Sequence, residues 1–93
     1  MSWSLEEELL EETLIDDSID DGRGLVVFND EFNTFDHVIN TLIKVCKHDP
    51  MQAEQCTYII HFNGKCEVKK GTYDYLKPMR EGIVDAGIKA AIV

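Results

Sequence analysis

From Gly24 to Val93 the spacing of apolar positions changes five times, and each change marks an element. The run "GLVVFND" is short, rich in β-branched residues and ended by polar ones, which is the pattern of a buried strand entering a turn. In "NTFDHVINTLIKVCKHD" the residues Phe35, Val38, Ile39, Leu42, Ile43 and Cys46 recur at helical spacing behind Asn33 or Thr34 as N-cap. Asp49 followed by Pro50 is the next start signal, because proline's missing N–H costs nothing in a first turn. It predicts a second helix from Pro50 to about Phe62, with Ala53, Cys56, Ile59 and Ile60 on or near its buried side and Asn63 and Gly64 as its stop.

"KCEVKKG" then alternates as a half-exposed strand. "TYDYLKPMREGIVDAG" places Leu76, Met79, Ile83 and Val84 at helical spacing ahead of Gly87, with Pro78 expected to kink that helix or mark its first turn. "IKAAIV" reads as a closing strand. The order β-α-α-β-α-β predicts an α+β fold, a three-stranded antiparallel sheet with three helices packed on one face. Domain organisation follows as an acidic, disordered N-terminal extension over residues 1–23 and one core domain over residues 24–93.

Composition narrows the classes. With 93 residues and 44% hydrophobic positions the chain can bury one ordinary core. No apolar run approaches the roughly 18 residues that span a bilayer, and "MSWSLEEELLEE" lacks the basic and apolar regions of a signal peptide, so the expectation is a soluble cytoplasmic protein. Nine of the acids fall within residues 1–23 against Arg23 alone, whereas the remainder is close to balanced. Such an arm repels nucleic acid and anionic membrane, and its Leu5, Leu9, Leu10, Leu14 and Ile15 suit a basic protein surface instead.

The chemistry-bearing residues exclude more than they assign. Cys46, Cys56 and Cys66 are odd in number and form no C-x-x-C, which fits reduced thiols rather than a disulfide framework. Cys46 and Cys56 read as small core hydrophobes, and His37 and His48 as occupants of a solvated face. Together with His61 these residues match no zinc-ligand spacing, no cofactor is implied, and no glycine-rich phosphate loop is present. The feature left over is an acidic corner, Asn29, Asp30 and Glu31 at the end of the first strand, and a histidine, His61, in the last turn of an apolar helix. Alone, each has an ordinary reading, a turn and a dipole-placed helix-end residue; together they form a candidate binding constellation.

The pair "FNDEFNTFDHVI" and "CTYIIHFNGK" resembles the ClpS family over residues 25–93. Members of that family are non-enzymatic adaptors that deliver N-degron substrates to a ClpA-type AAA+ unfoldase of the Clp protease. The resemblance implies an α+β sandwich similar to the C-terminal domain of the ribosomal stalk protein, behind a mobile N-terminal extension. It implies that Asn29, Asp30, Glu31 and His61 hold a substrate's α-amino group, and that Phe35, Val38, Thr57, Ile60 and Ile88 enclose its first side chain, Leu, Phe, Tyr or Trp. Asn33 then takes a substrate-backbone contact, and Arg80 a place in docking to the N-terminal domain of the unfoldase, with the protein acting as a monomer. Glu31 stands where the family has a second Asp, Asn33 where it often has Thr, Phe35 and Thr57 where well-known members have Met, and Tyr75 in the place of an acid at the docking face. The competing reading is a structural or assembly module of the stalk type without a ligand pocket.

Overall fold

The computed structural model describes residues 22–93. The acidic extension read from the sequence lies, up to residue 21, outside the described residues. Three strands, β1 (Arg23–Phe28), β2 (Lys65–Gly71) and β3 (Ala90–Ile92), and three helices, α1 (Phe35–Cys46), α2 (Pro50–Asn63) and α3 (Tyr73–Asp85), follow in the order β-α-α-β-α-β. The sheet order is β2-β1-β3, antiparallel throughout, so the most deeply buried strand is central. Leu25 and Val27 of β1 and Val68 of β2 share one core with Val38, Leu42 and Cys46 of α1, Ala53 and Ile60 of α2, and Leu76 and Ile83 of α3. Among the described residues no helix is long and apolar enough to cross a membrane.

Each helix begins where a short polar side chain can satisfy an orphan N–H. Thr34, rather than Asn33, caps α1, its Oγ1 accepting the His37 N–H at 3.1 Å. Asp49 caps α2 by accepting the Gln52 N–H at 2.8 Å ahead of Pro50 in the first turn, and Thr72 caps α3 by accepting the Tyr75 N–H at 3.1 Å. Gly64 ends α2 in the left-handed conformation, at φ 97°. Lys47 ends α1 the same way at φ 62° without being glycine. Pro78 lies inside α3, beyond its first turn. At the crossing of α1 and α3, a Cβ on Gly82 would lie 3.0 Å from a Val45 methyl carbon, a tight contact that the glycine avoids, so the two helices pack closely there.

Three expectations are corrected. Ile59 and Val84 are exposed, because the buried stripe of α2 is the narrow Ala53, Thr57, Ile60 row and α3 turns only Leu76 and Ile83 fully inward. His48 is buried at 3% exposure rather than solvated. The reason lies across the fold. β2 carries one more residue than β1 between the Leu25–Lys69 and Val26–Glu67 pairs, so Val68 is bulged out of register. The Nε2–H of His48, turned inward after the left-handed Lys47, donates to the Val68 carbonyl at 2.8 Å. Its Nδ1 has no partner among the described residues, which fits the neutral ring with its one proton on Nε2.

His48→Ala should therefore lower unfolding stability by about 2–3 kcal/mol in urea titration, since it leaves both a cavity and a buried unpaired carbonyl. An unchanged midpoint would show that the His48 bond to the Val68 carbonyl does not hold the bulge in place.

The cysteines are free. Burial pushes the Cys46 thiol up to about 11. Burial first, and the neighbouring Cys56 thiol second, push Cys66 up to about 12. Folding thus favours the neutral thiols, and the stability linked to them is complete below the ordinary thiol value and lost as pH rises through the folded ones. Alkylation by iodoacetamide at pH 8 should run much slower on the native chain than in denaturant; equal rates would contradict this placement.

Candidate binding site

The two stretches singled out in the sequence meet at one place because the backbone N–H of Asn29, the first residue beyond β1, donates to the carbonyl of Gly64 at 2.9 Å. This bond sets the acidic corner beside the C-terminal turn of α2, which carries His61. A second tie comes from Asn33, whose Nδ2–H donates to the Gly87 carbonyl at 2.9 Å. One turn into α1, the His37 Nε2–H donates to the Ala86 carbonyl at 2.8 Å. Both satisfy carbonyls at the end of α3 that its own ladder cannot reach.

Inside the corner Asp30 is the organiser. Its Oδ1 accepts the backbone N–H of Phe32 and of Asn33, each at 2.8 Å, and its Oδ2 accepts Asn33 Nδ2–H at 2.6 Å. The Asn33 backbone N–H above all, with further help from the Asn33 side chain, the Phe32 N–H and the Lys89 ammonium, holds the Asp30 carboxyl below its ordinary value against partial burial. Its lone pairs are thus committed to the turn. Asn29, Glu31 and His61 differ: among the described residues their side chains carry no hydrogen bond.

These three acceptors stand at a recess of about 230 Å³ lined also by Asp30, Asn33, Thr34, Phe35, Val38, Thr57, Ile60. Val38 and Ile60 are core residues that reach its wall, and Thr57 spends its hydroxyl on the Ala53 carbonyl at 2.7 Å, which leaves its methyl for the recess. The Phe35 ring meets His61 edge-on with centroids 6.3 Å apart. A volume below the range of about 300–1,000 Å³ usual for drug-sized ligands suits one side chain with a small polar head. A larger groove of about 510 Å³ runs between α1 and α3, past Asn40, Lys44, Val45, Gly82 and Asp85, where two uncommitted acceptors, Asn40 and Asp85, stand beside the Lys44 cation, whereas the recess has three and no lysine or arginine in its lining. The smaller recess is the better candidate for that reason.

Of the residues assigned from the sequence, one expected in the recess, Ile88, lies outside its lining, and the one assigned to docking, Arg80, lines a hollow of its own. Ile88 is buried in the core at 2% exposure, its N–H bonded to the Ile83 carbonyl as α3 ends, and it does not line the recess. Arg80 lines a separate hollow on α3 with Glu81, Val84 and Asp85. Thr34, which does line the recess, was legible only as a helix cap. Among the described residues no group of three or more His, Cys, Asp or Glu side chains is placed to hold a metal ion.

An α+β sandwich with an acceptor-rimmed, apolar-walled recess where its first strand meets the end of its second helix defines a class of small binding domain. The chain belongs to the ClpS family, since the family model for the ATP-dependent Clp protease adaptor protein ClpS matches residues 23–90. Comparison with curated proteins gives no match. Among solved structures the chain is similar to Agrobacterium tumefaciens ClpS2 bound to L-phenylalaninamide, at 14% identity and a TM-score of 0.67, over 84% of this chain and 98% of that one. At that identity the likeness speaks for the fold.

The lowered Asp30 value has a consequence for pH. The stability it contributes is present above the ordinary carboxylate value, near 3.9, and is lost as pH falls through the folded one. In hydrogen exchange the Phe32 and Asn33 amides should stay protected down to the ordinary carboxylate value and lose protection only as pH falls through the lowered one, and in Asp30→Ala, which removes the oxygen that accepts both, they should already be unprotected at pH 6. Protection that is indifferent to both changes would separate Asp30 from the turn.

Proposed function

We propose that this chain is an adaptor that reads the free N-terminus of a protein substrate and carries it to a ClpA-type AAA+ unfoldase of the Clp protease. The observation that carries the reading is the recess itself, in which Asn29, Glu31 and His61 present uncommitted acceptors above an apolar wall. An α-ammonium offers three N–H donors in a cone, and an amide oxygen, a carboxylate and a neutral imidazole nitrogen match them in number and sign. The side chain of the same residue then falls among Phe35, Val38, Thr57 and Ile60, which suits Leu, Phe, Tyr or Trp. Asp30 serves the clamp by fixing the turn, and Asn33 keeps its carbonyl oxygen for the substrate backbone. Membership of an adaptor family supports the reading, and so does a related fold whose bound L-phenylalaninamide combines a free amine with a phenyl side chain.

The remaining parts of the proposal concern the partner. The adaptor works in the cytoplasm as a monomer and performs no chemistry of its own. The acidic residues 1–23 and the α3 face around Arg80 engage the N-terminal domain of the unfoldase, while the recess holds the substrate.

Fluorescence polarisation with peptides beginning in Phe tests the clamp. A free Phe-peptide should bind saturably, and acetylation of its α-amino group should weaken binding by at least about tenfold, because it removes the charge and leaves acceptors unpaired beneath the bound peptide. His61→Ala should weaken the free peptide by about five- to tenfold. If the acetylated and free peptides bind alike, the recess does not read N-termini and the structural-module reading takes its place.

A further inference from the structure

Beyond the recess, α2 carries an aromatic surface that the core does not use. Tyr58 and Phe62 stand one helical turn apart, 45% and 73% exposed, with rings stacked at 6.0 Å between centroids and 8° between planes. The surface is continuous with the recess. Tyr58 meets Phe35 edge-on at 4.9 Å, and Phe62 meets His61 edge-on at 5.1 Å. Four rings therefore form one sheet of contact, of which Phe35 and His61 line the recess and Tyr58 and Phe62 lie outside it. Folding gains little from Phe62 in that position, and an exposed aromatic pair at the rim of a candidate site is the kind of patch that marks binding.

We propose that Tyr58 and Phe62 form a second subsite, taking a planar side chain, aromatic or guanidinium, from the second or third residue of the substrate. The inference rests on the reading of the recess as the seat of the first residue. An extended peptide advances about 3.3 Å per residue, so its second and third residues pass within about 3–7 Å of the anchored one. That is the scale on which the rings step outward from Phe35 to Tyr58 and on to Phe62. Stacked rings offer a face to other rings and to guanidinium groups alike, whereas small polar side chains gain nothing from them. Glu54, one turn before Tyr58 on the same exposed side of α2, adds an acid for the guanidinium case. The ledge thus makes the chain selective beyond the N-terminal residue.

The test is a panel of free-amine Phe-peptides carrying Trp, Arg or Ser at positions two and three, titrated against the full chain by fluorescence polarisation. Trp or Arg at one of these positions should bind roughly three- to tenfold tighter than Ser. In Phe62→Ala and in Tyr58→Ala that ratio should shrink toward one, and in Tyr58→Phe it should persist; circular dichroism confirms that each variant is folded, as exposed positions should allow. A ratio of one in the unmodified chain, or a preference that survives in both alanine variants, overturns the ledge while dependence on the free amine leaves the recess reading standing. No binding of any free-amine peptide overturns the recess reading and the ledge with it.

Discussion

One backbone hydrogen bond, from the Asn29 N–H to the Gly64 carbonyl, decides whether there is a site at all. The corner after β1 and the last turn of α2 are more than thirty residues apart in the chain, and this bond fixes one against the other. It depends on the way α2 stops. Gly64 adopts a left-handed φ of 97°, returns its own N–H to the Ile60 carbonyl and leaves its carbonyl pointing to the strand end. A side chain there would be strained by the backbone conformation whatever the space around it. The Asn33 bond to Gly87 then ties the same corner to the end of α3, so the turn is clamped between two helix C-termini. Acceptors held this way have little ordering left to lose when a ligand arrives, which is how preorganisation adds affinity.

The local parts of the structure were legible in the sequence for a physical reason: caps, stops and apolar spacing are properties of a few neighbouring residues. Asp49 before Pro50 and Gly64 after Asn63 announce the helix ends they make. His48 was misread because its partner is a bulge in β2, twenty residues away, and no local pattern reveals a register shift. Ile59 and Val84 were placed inward because apolar character was read as burial, which is a one-way rule. In the site, the corner and His61 could be paired from their motifs, but not the division of labour within the corner. Only the turn geometry separates Asp30, spent on three donors, from Glu31, which is free. The Tyr58 and Phe62 spacing was visible as one turn of helix, yet nothing in it said that Phe35 and His61 stand alongside.

Four of the departures from the family pattern, Glu31, Asn33, Phe35 and Thr57, line the recess, while Tyr75 lies apart on α3. Phe35 brings a larger, stiffer wall than a flexible thioether would, and it is propped from outside by Tyr58. Thr57 is smaller, and its hydroxyl is already satisfied within the helix. The recess is therefore shaped by one fixed aromatic ring and one small methyl-bearing neighbour instead of two adaptable side chains. A fold shared at 14% identity leaves room for such changes, because what the sandwich requires is the pattern of buried positions and the turn geometry, not particular wall residues.

The short sheet has one more consequence. β3 contributes only Ala90–Ile92, and the other outer strand, β2, is bulged at Val68 and carries Lys65, Lys69 and Lys70. Short, kinked and lysine-bearing borders are poor templates for a stray β-strand from another chain. The apolar central strand, a segment of the kind suited to aggregate, is shut between them. The folded domain thus offers little that could seed a growing intermolecular sheet.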